Sequence, residues 1–205
     1  MIVVNGRGVW LAWPFITALV VFLELRRHKS LWHMLGVIAL TTYGIWIASV
    51  AFFPMYLGHE SAAEMHWTGW TGINLVPFRS LVQSFSFKLG AWWLIRMDGG
   101  NFLLLVPHTL LGPVLWPKLR RWWKALLLGL GLSLAIELVQ LSLRLVAAPP
   151  YRSVDIDDVI VNTAGAMCGY GLYVLARWYA ARHRPAVQDI NRGSRMREAR
   201  EGPHG

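Results

Sequence analysis

Three polar side chains that could do acid–base or anion-binding chemistry lie within one strongly apolar stretch of the chain. Glu137, Gln140 and Arg144 are separated by three and four residues, so a helix would place them on one face. An ionisable group at mid-membrane costs about 2.5–3.5 kcal/mol on insertion scales and persists where it is paired or lines a wet cavity. Glu137 and Arg144 would lie roughly 10 Å apart along the axis, so each is expected to have a partner on another element. Glu137 is the candidate catalytic residue, as a general acid or base.

A second polar cluster lies where the next apolar stretch begins. Its members are Arg152, Ser153, Asp155, Asp157, Asp158 and Asn162. Asp155 or Ser153 could cap a helix here, and acids in the first turn suit the helix dipole. Capping explains one aspartate but neither all three nor Asn162, and the spacing of Asp155, Asp158 and Asn162 predicts a shared face.

Two further segments add polar residues, and together they define a predicted binding site. Arginine side chains there would hold a phosphate or a carboxylate. The predicted substrate-binding residues are Asn74, Arg79, Asn101, Gln140, Arg152, Asp155, Asp157, Asp158 and Asn162. Three aspartates could also bind Ca²⁺ or Mg²⁺. The loop lacks EF-hand spacing and Arg152 adds a positive charge, so we expect no metal and no other cofactor.

The elements that must position these residues are membrane helices. A spanning helix needs roughly 20 mostly apolar residues, and five stretches qualify: 9–25, 31–57, 102–116, 123–148 and 159–179. The third is short, and Pro107 and Pro113 are expected to kink it. We predict an all-α polytopic transmembrane bundle of about five spans, with segment 81–95 as an interfacial or re-entrant helix. Gly165 and Gly169 would permit close helix approach, with Cys168 at the seam.

Composition supports a membrane protein. The chain has 205 residues, of which 55% are hydrophobic and 15% charged, and its mean hydropathy is +0.41. A soluble domain averages nearer a quarter charged residues, so these charges are too few to coat a soluble core. Disorder is excluded for most of the chain because so much apolar surface needs burying. One cysteine cannot form an internal disulfide scaffold.

The positive charge is distributed as membrane topology predicts. Most of the 20 lysines and arginines, which give a net charge of +9, follow the first, third and fifth stretches. They are Arg26, Arg27, Lys29, Lys118, Arg120, Arg121, Lys124, Arg177, Arg182, Arg184, Arg192, Arg195, Arg197 and Arg200. This bias predicts an N-terminus outside and a C-terminus in the cytoplasm, and it leaves little support for nucleic-acid binding. The polar residues would then lie at the outer end, with Glu137 and Gln140 somewhat deeper.

The order of the motifs resembles the VanZ-like family, named for a glycopeptide-resistance accessory protein. The matching pieces are Asn74–Phe78, Asn101 with Pro107, Glu137–Gln140, Arg152–Asp158 and Asn162–Gly165, within about residues 40 to 180. Two departures are His108–Thr109, where the family usually has an aliphatic residue and glycine, and extra residues around 146–151. The resemblance implies a multi-pass bacterial plasma-membrane protein of the cell envelope, linked in its namesake to low-level teicoplanin resistance, without an established reaction.

Three functions remain open, and the residues do not decide whether the chain is an enzyme. The first is an outward-facing pocket that binds or acts on a lipid-linked or peptidoglycan-related molecule. The others are a small transporter or flippase and a non-catalytic scaffold or accessory protein. Expected partners are the lipid bilayer, a lipid-linked cell-wall precursor and further copies of the chain. We divide the chain into a first span with its basic turn (1–30), a VanZ-like membrane domain (31–182) and a basic, disordered cytoplasmic tail (183–205).

Overall fold

The structure, a computed structural model, describes residues 2–27, 29–57, 73–85, 91–144 and 153–183. The helices are α1 (Trp13–Leu25), α2 (Leu31–Phe52), α3 (Arg79–Phe85), α4 (Ala91–Leu104), α5 (Val106–Leu115), α6 (Trp122–Arg144) and α7 (Ile156–Arg182). Short 3-10 helices cover Gly6–Leu11 and Pro117–Leu119. The strands are β1 (Ile2–Val4), β2 (Met55–Leu57), β3 (Ile73–Asn74) and β4 (Val154–Asp155). The predicted all-α bundle is confirmed.

Four helical segments among the described residues are long and apolar enough to cross a membrane. They are Gly6–Leu25, Leu31–Phe52, Trp122–Arg144 and Ile156–Arg182. Large apolar side chains such as Phe15, Trp32 and Leu138 are exposed on their outer faces. A soluble protein rarely exposes so much contiguous apolar surface, whereas lipid tails accept it. These segments correspond to four of the five predicted spans.

The third predicted span is wrong as a single helix. The chain breaks at the buried Leu105, which separates α4 from α5. With 10 residues, α5 extends only about 15 Å and is too short to cross alone. Pro107 lies in the first turn of α5, where its missing N–H removes no helical hydrogen bond, so it starts a helix rather than kinking one. Pro113 alone lies inside α5.

Helix α7 is the centre of the bundle, packing against α4, α5 and α6. Helix α2 covers α5 and α6, and α1 packs mainly on α2. The approach of α7 to α4 and α5 requires glycine: a Cβ at Gly165 would lie 1.7 Å from the carbonyl oxygen of Phe102, and one at Gly169 would lie 2.4 Å from that of Val106. Cys168 is exposed rather than at this seam, contrary to the expectation from sequence.

The bundle has two chemically different ends. Helix α6 ends and α7 begins at the polar end, where β4 and Glu137 meet. The opposite, basic end holds the α1–α2 turn, the α5–α6 connection and the end of α7; there the Tyr170 hydroxyl donates to the carbonyl of Arg120 at 2.7 Å. The basic residues that follow the first and third predicted spans therefore lie at the same end as Arg177 and Arg182.

Two small sheets, absent from the sequence prediction, close the polar end. β1 pairs antiparallel with β2, which places the N-terminal strand beside the end of α2. β3 pairs parallel with β4, with Ile73 opposite Val154 and Asn74 opposite Asp155. This second sheet ties the segment before α3 to the start of α7, 81 residues later in sequence. Residues 81–85 belong to α3 and 91–95 to α4, while 86–90 lie outside the described residues, so the interfacial placement of this segment stays a prediction.

Candidate functional site

Glu137 joins α6 to the start of α7. The buried residues of α6 form one stripe: Ala125, Gly129, Ser133, Glu137, Gln140 and Arg144. Helical spacing therefore places the three predicted polar residues on one face, as expected. One carboxylate oxygen of Glu137 (Oε2) accepts the backbone N–H of Asp155 at 3.1 Å. Glu137 thus has the partner on another element that its burial requires.

Gln140 contacts a different helix from Glu137. Its Nε2 donates to the carbonyl of Ala51, near the end of α2, at 3.0 Å. Glu137 lies beside the start of α7 and bonds directly to the backbone of Asp155, and the expectation that both residues lie deeper than the aspartates stays a prediction. Gln140 lies nearer still to the polar end, because α6 runs towards it. The Oε1 of Gln140 is buried and has no hydrogen-bond partner in the described part of the chain.

Asp155 is both a helix cap and the centre of a small network. Its side chain accepts the backbone N–H of Asp157 at 2.9 Å, which confirms it as the N-cap of α7. It also accepts a hydrogen bond from Asn74 at 2.8 Å and one from the hydroxyl of Ser80. The helix begins at Ile156, three residues before the predicted start. Asp155 therefore lies outside the helix and cannot share a helical face with Asp158 and Asn162.

Asp157 holds the backbone of the loop before α3. Its carboxylate accepts three backbone N–H groups, from Phe78 at 2.5 Å, Ser80 at 2.8 Å and Leu81 at 3.1 Å. The first amides of a helix lack internal partners and carry partial positive charge, so a carboxylate stabilises them. Phe78 has a φ of 66°, a conformation that costs a non-glycine residue about 1–3 kcal/mol and needs support from its surroundings. Asp157, only 2% exposed, supplies that support.

Asp158 and Asn162 face two different helices. Asn101 on α4 donates to Asp158 at 2.6 Å. One turn further along α7, Asn162 donates to the hydroxyl of Ser133 on α6 at 3.0 Å. The amide oxygen of Asn162 is buried and, within the described ranges, has no hydrogen-bond partner. The start of α7 thus uses separate polar residues to bind α4 and α6.

The loop 75–79 presents apolar side chains and one cation to the surroundings. Leu75, Val76 and Phe78 are exposed, Phe78 by 58%. Arg79, the first residue of α3, is also exposed, and its side chain makes no hydrogen bond or ion pair with the described residues. The backbone beneath is fixed by Asp157 and by the N–H of Val76, which donates to the side chain of Asn74 at 3.1 Å. The loop is therefore a rigid, amphipathic surface.

Comparison with known families identifies the chain. A family model described as VanZ/LLP1 matches residues 40–177, more than half of the chain. The chain belongs to the VanZ family. The resemblance inferred from the order of the motifs is thereby confirmed. Comparisons with curated proteins and with solved structures gave no match.

The family match includes the polar end but not the N-terminal helix α1. Every described polar residue of the site lies within the matched range, whereas α1 and the first turns of α2 lie outside it. The VanZ match thus covers the helices that build the polar end, whereas α1, which packs mainly on α2, lies outside it.

The structure brings most of the predicted site residues of this VanZ protein together. One connected network contains Asn74, Asp155, Asp157, Glu137 and the unpredicted Ser80. Asn101 with Asp158, Asn162 with Ser133, and Gln140 form separate contacts around it. Arg152 lies outside the described residues. Among the described residues, no group of three His, Cys, Asp or Glu side chains is placed to hold a metal ion.

Sequence reasoning missed two serines. Ser133 lies four residues before Glu137, and this helical spacing was the signal that could have identified it. Ser80 had no comparable signal, because its contact with Asp155 depends on the β3–β4 pairing. Both serines are small polar residues that satisfy buried partners at close helix or strand contacts.

Proposed function

We propose that this VanZ-family membrane protein binds an anionic, amphiphilic molecule of the cell envelope, of lipid-linked or peptidoglycan-related type, at loop 75–79. The observation that carries the proposal is the support given to this loop. The buried carboxylate of Asp157 accepts three backbone N–H groups at the end of the loop and in the first turn of α3, including that of the positive-φ Phe78, while the side chains of the loop face outwards. Strained backbone held by its surroundings is characteristic of functional sites.

The displayed side chains match the two parts of such a ligand. The guanidinium of Arg79 can form a bidentate pair with a phosphate or carboxylate. Val76 and Phe78 offer apolar surface beside it for the hydrocarbon of a lipid-linked molecule. Because the backbone is already ordered, binding would not require the loop to lose much conformational entropy. Arg152, outside the described residues, stays a predicted second contact to the anion.

The contacts favour binding over catalysis. The carboxylate groups of Asp155 and Asp157 accept three donors each, and the buried Glu137 accepts the amide of Asp155. We therefore propose that the acids, with Asn74, position the loop. Asn101, Asp158, Asn162 and Gln140 would position the helices around it. A general acid or base role for Glu137 stays a hypothesis that this arrangement does not require.

The distribution of charge supports the proposed orientation in a plasma membrane. The described basic residues of the turns share the basic end, and cytoplasmic turns carry an excess of lysine and arginine. The polar end, loop 75–79 and the N-terminus would then face outwards. This can be tested in cells with the cysteine-free variant C168A carrying Leu75→Cys. A membrane-impermeant maleimide should label it in intact cells, and labelling only after lysis would contradict the orientation.

The binding proposal is tested with protein in nanodiscs of zwitterionic lipid. The probe is a fluorescent polyprenyl-pyrophosphate-linked disaccharide pentapeptide. Arg79→Gln should weaken its binding about tenfold or more, because a hydrogen bond to a charged group contributes about 1.5–3 kcal/mol. Arg7→Gln is the matched control, since Arg7 is exposed at the same end but outside the loop. Equal affinity for wild type and the Arg79 variant would contradict the proposal.

A scaffold is the second candidate, and the saturated contacts of the acids support it. A protein that uses these residues only for packing should show no dependence on Arg79 in the binding assay. Replacement of Asp157 should lower thermal stability under both candidates, because its carboxylate holds the backbone in either case. The Arg79 variant, measured in the same preparation, therefore distinguishes a binding protein from a scaffold.

A further inference from the structure

We propose that the basic end holds a binding site for the phosphate group of an anionic glycerophospholipid. A pocket of about 300 Å³ opens between α5 and α7, lined by Val114, Arg120, Tyr173, Ala176 and Arg177. It lies at the opposite end of the bundle from loop 75–79, so this inference does not depend on the proposed function.

The pocket contains prepositioned hydrogen-bond donors. Arg177 donates one N–H to the hydroxyl of Tyr173 at 3.3 Å, and Arg120 donates its Nε to the carbonyl of Pro113 at 3.3 Å. A guanidinium has five N–H donors, so both side chains keep several for a ligand. The bond from Tyr170 to the carbonyl of Arg120 fixes that backbone, and Tyr173 is only 6% exposed. Two guanidinium groups beside a tyrosine hydroxyl offer several N–H donors, which suit the oxygens of a phosphate.

The charge around the pocket favours an anion. Its lining, within the described residues, contains two arginines and no acidic side chain. Glu24, an acid near the same end, is already engaged by Arg27 at 3.3 Å and His33 at 3.1 Å. Lys118, Arg121 and Arg182 add positive charge nearby. Two guanidinium groups that line one pocket repel each other, and the attraction of both to a bound anion would offset this repulsion.

Features of the membrane interface indicate a lipid phosphate rather than a soluble one. Trp122, Trp178 and Tyr179 are exposed at this end, Trp178 by 53%, and such residues mark the level of lipid headgroups. Val114 and Ala176 form an apolar wall beside the arginines, which suits the start of an acyl chain. Basic pockets between membrane helices at the cytoplasmic face are known positions for anionic headgroups.

Native mass spectrometry of the full chain in detergent tests the site. The probes are phosphatidylglycerol, phosphatidylcholine and inorganic phosphate, each titrated separately. We expect one tightly bound phosphatidylglycerol, retained at about tenfold lower concentration than phosphatidylcholine, because phosphatidylcholine has the same phosphate but its quaternary ammonium is repelled by the two arginines. Inorganic phosphate at millimolar concentration should not displace it. Displacement by inorganic phosphate at that concentration would show a soluble-anion site and overturn the lipid assignment.

The variants separate this pocket from general surface charge. Arg120→Gln with Arg177→Gln should abolish the preference for phosphatidylglycerol. Arg177→Gln alone should weaken it while leaving folding intact, because that side chain lies at the exposed end of α7. Arg121→Gln removes the same charge next to the pocket and should retain the preference. An equal loss in the Arg121 variant, or an unchanged preference in the double variant, would overturn the proposal.

Discussion

The two halves of α7 differ in burial and in what their polar side chains contact. Residues 156–169 are packed among α4, α5 and α6 and carry acids and an amide whose hydrogen bonds are directed at backbone and side-chain partners. Residues 170–182 are mostly exposed and carry arginines and aromatic side chains. In the first half, polar atoms hold helices and a loop in place. In the second half, they remain available to the membrane interface.

The difference shows which charges the fold itself uses. Asp157 stabilises three backbone amides and is buried, so its loss should unfold local structure. Arg177 has one long contact and is exposed, so its loss should leave the fold intact. We therefore expect the loss of a charged residue with several internal partners to destabilise this VanZ protein, and the loss of one with few partners to leave its fold intact.

The largest effect is expected at Asp157. Asp157→Ala leaves three backbone N–H groups without their acceptor, and each buried unsatisfied donor costs about 1–3 kcal/mol. We expect a destabilisation of about 3 kcal/mol or more, seen as a lower melting temperature in detergent. Hydrogen exchange at residues 78–81 should accelerate. Asp157→Asn keeps one oxygen acceptor and should lose less. If the Asp157→Ala variant melted at the wild-type temperature, the proposed contrast between the stabilising first half of α7 and its exposed second half would be contradicted.

The next largest effect is expected where the glycines of α7 allow close contact with α4 and α5. Gly165→Ala places a Cβ against the carbonyl of Phe102, a backbone atom that cannot rotate away. Overpacking of this kind costs about 1–3 kcal/mol, occasionally more. Gly171→Ala is the matched control on the same helix, because no described heavy atom beyond the neighbouring backbone of α7 lies within 4 Å of its added Cβ. Thermal melts of both variants in one detergent should show a large loss for the first and none for the second. Similar melting temperatures for the two variants would show that α4 and α7 can move apart to accept the added Cβ at little cost.

The sequence predicted the helices and the polar residues better than it predicted their partners. Hydrophobicity alone located four spans, because a bilayer requires long apolar helices whatever the packing. It could not locate the break at Leu105, because the residue is apolar like its neighbours and the helix ends there through tertiary contacts. The prolines indicated an interruption in this stretch but gave the wrong position for it.

The site was predicted as a set of residues but not as a network. Helical spacing placed Glu137 and Gln140 on one face, since that depends only on local geometry. The bonds from Asp157 to the loop depend on the β3–β4 pairing, which brings distant residues together and has no local signal. In the structure Asp155 and Asp157 hold the backbone around loop 75–79, and their predicted contact with a ligand stays a prediction.

A smaller effect is expected where α6 and α7 exchange a side-chain hydrogen bond. Ser133→Ala removes the acceptor of Asn162, and interhelical polar contacts in one measured membrane protein average about 0.6 kcal/mol. We expect a destabilisation of about 0.5–1.5 kcal/mol in a reversible unfolding assay. Ser142→Ala is the control, because that hydroxyl is exposed and bonds within its own helix. If Ser133→Ala destabilised the protein as much as Asp157→Ala, the contact between Ser133 and Asn162 would contribute as much to stability as the bonds from Asp157 to the loop. That result would contradict the expected order.

The smallest effect on stability is expected in the exposed half. Arg182 stacks over the ring of Trp178 at 5.1 Å, and an exposed cation–π pair contributes about 0.5–1 kcal/mol at most. Arg182→Gln should therefore leave the melting temperature in neutral detergent nearly unchanged. Addition of phosphatidylglycerol should still stabilise this variant, because Arg182 is not part of the pocket lining. A melting loss comparable to that of Gly165→Ala would show that the end of α7 belongs to the cooperative core, and the contrast between its two halves would no longer hold.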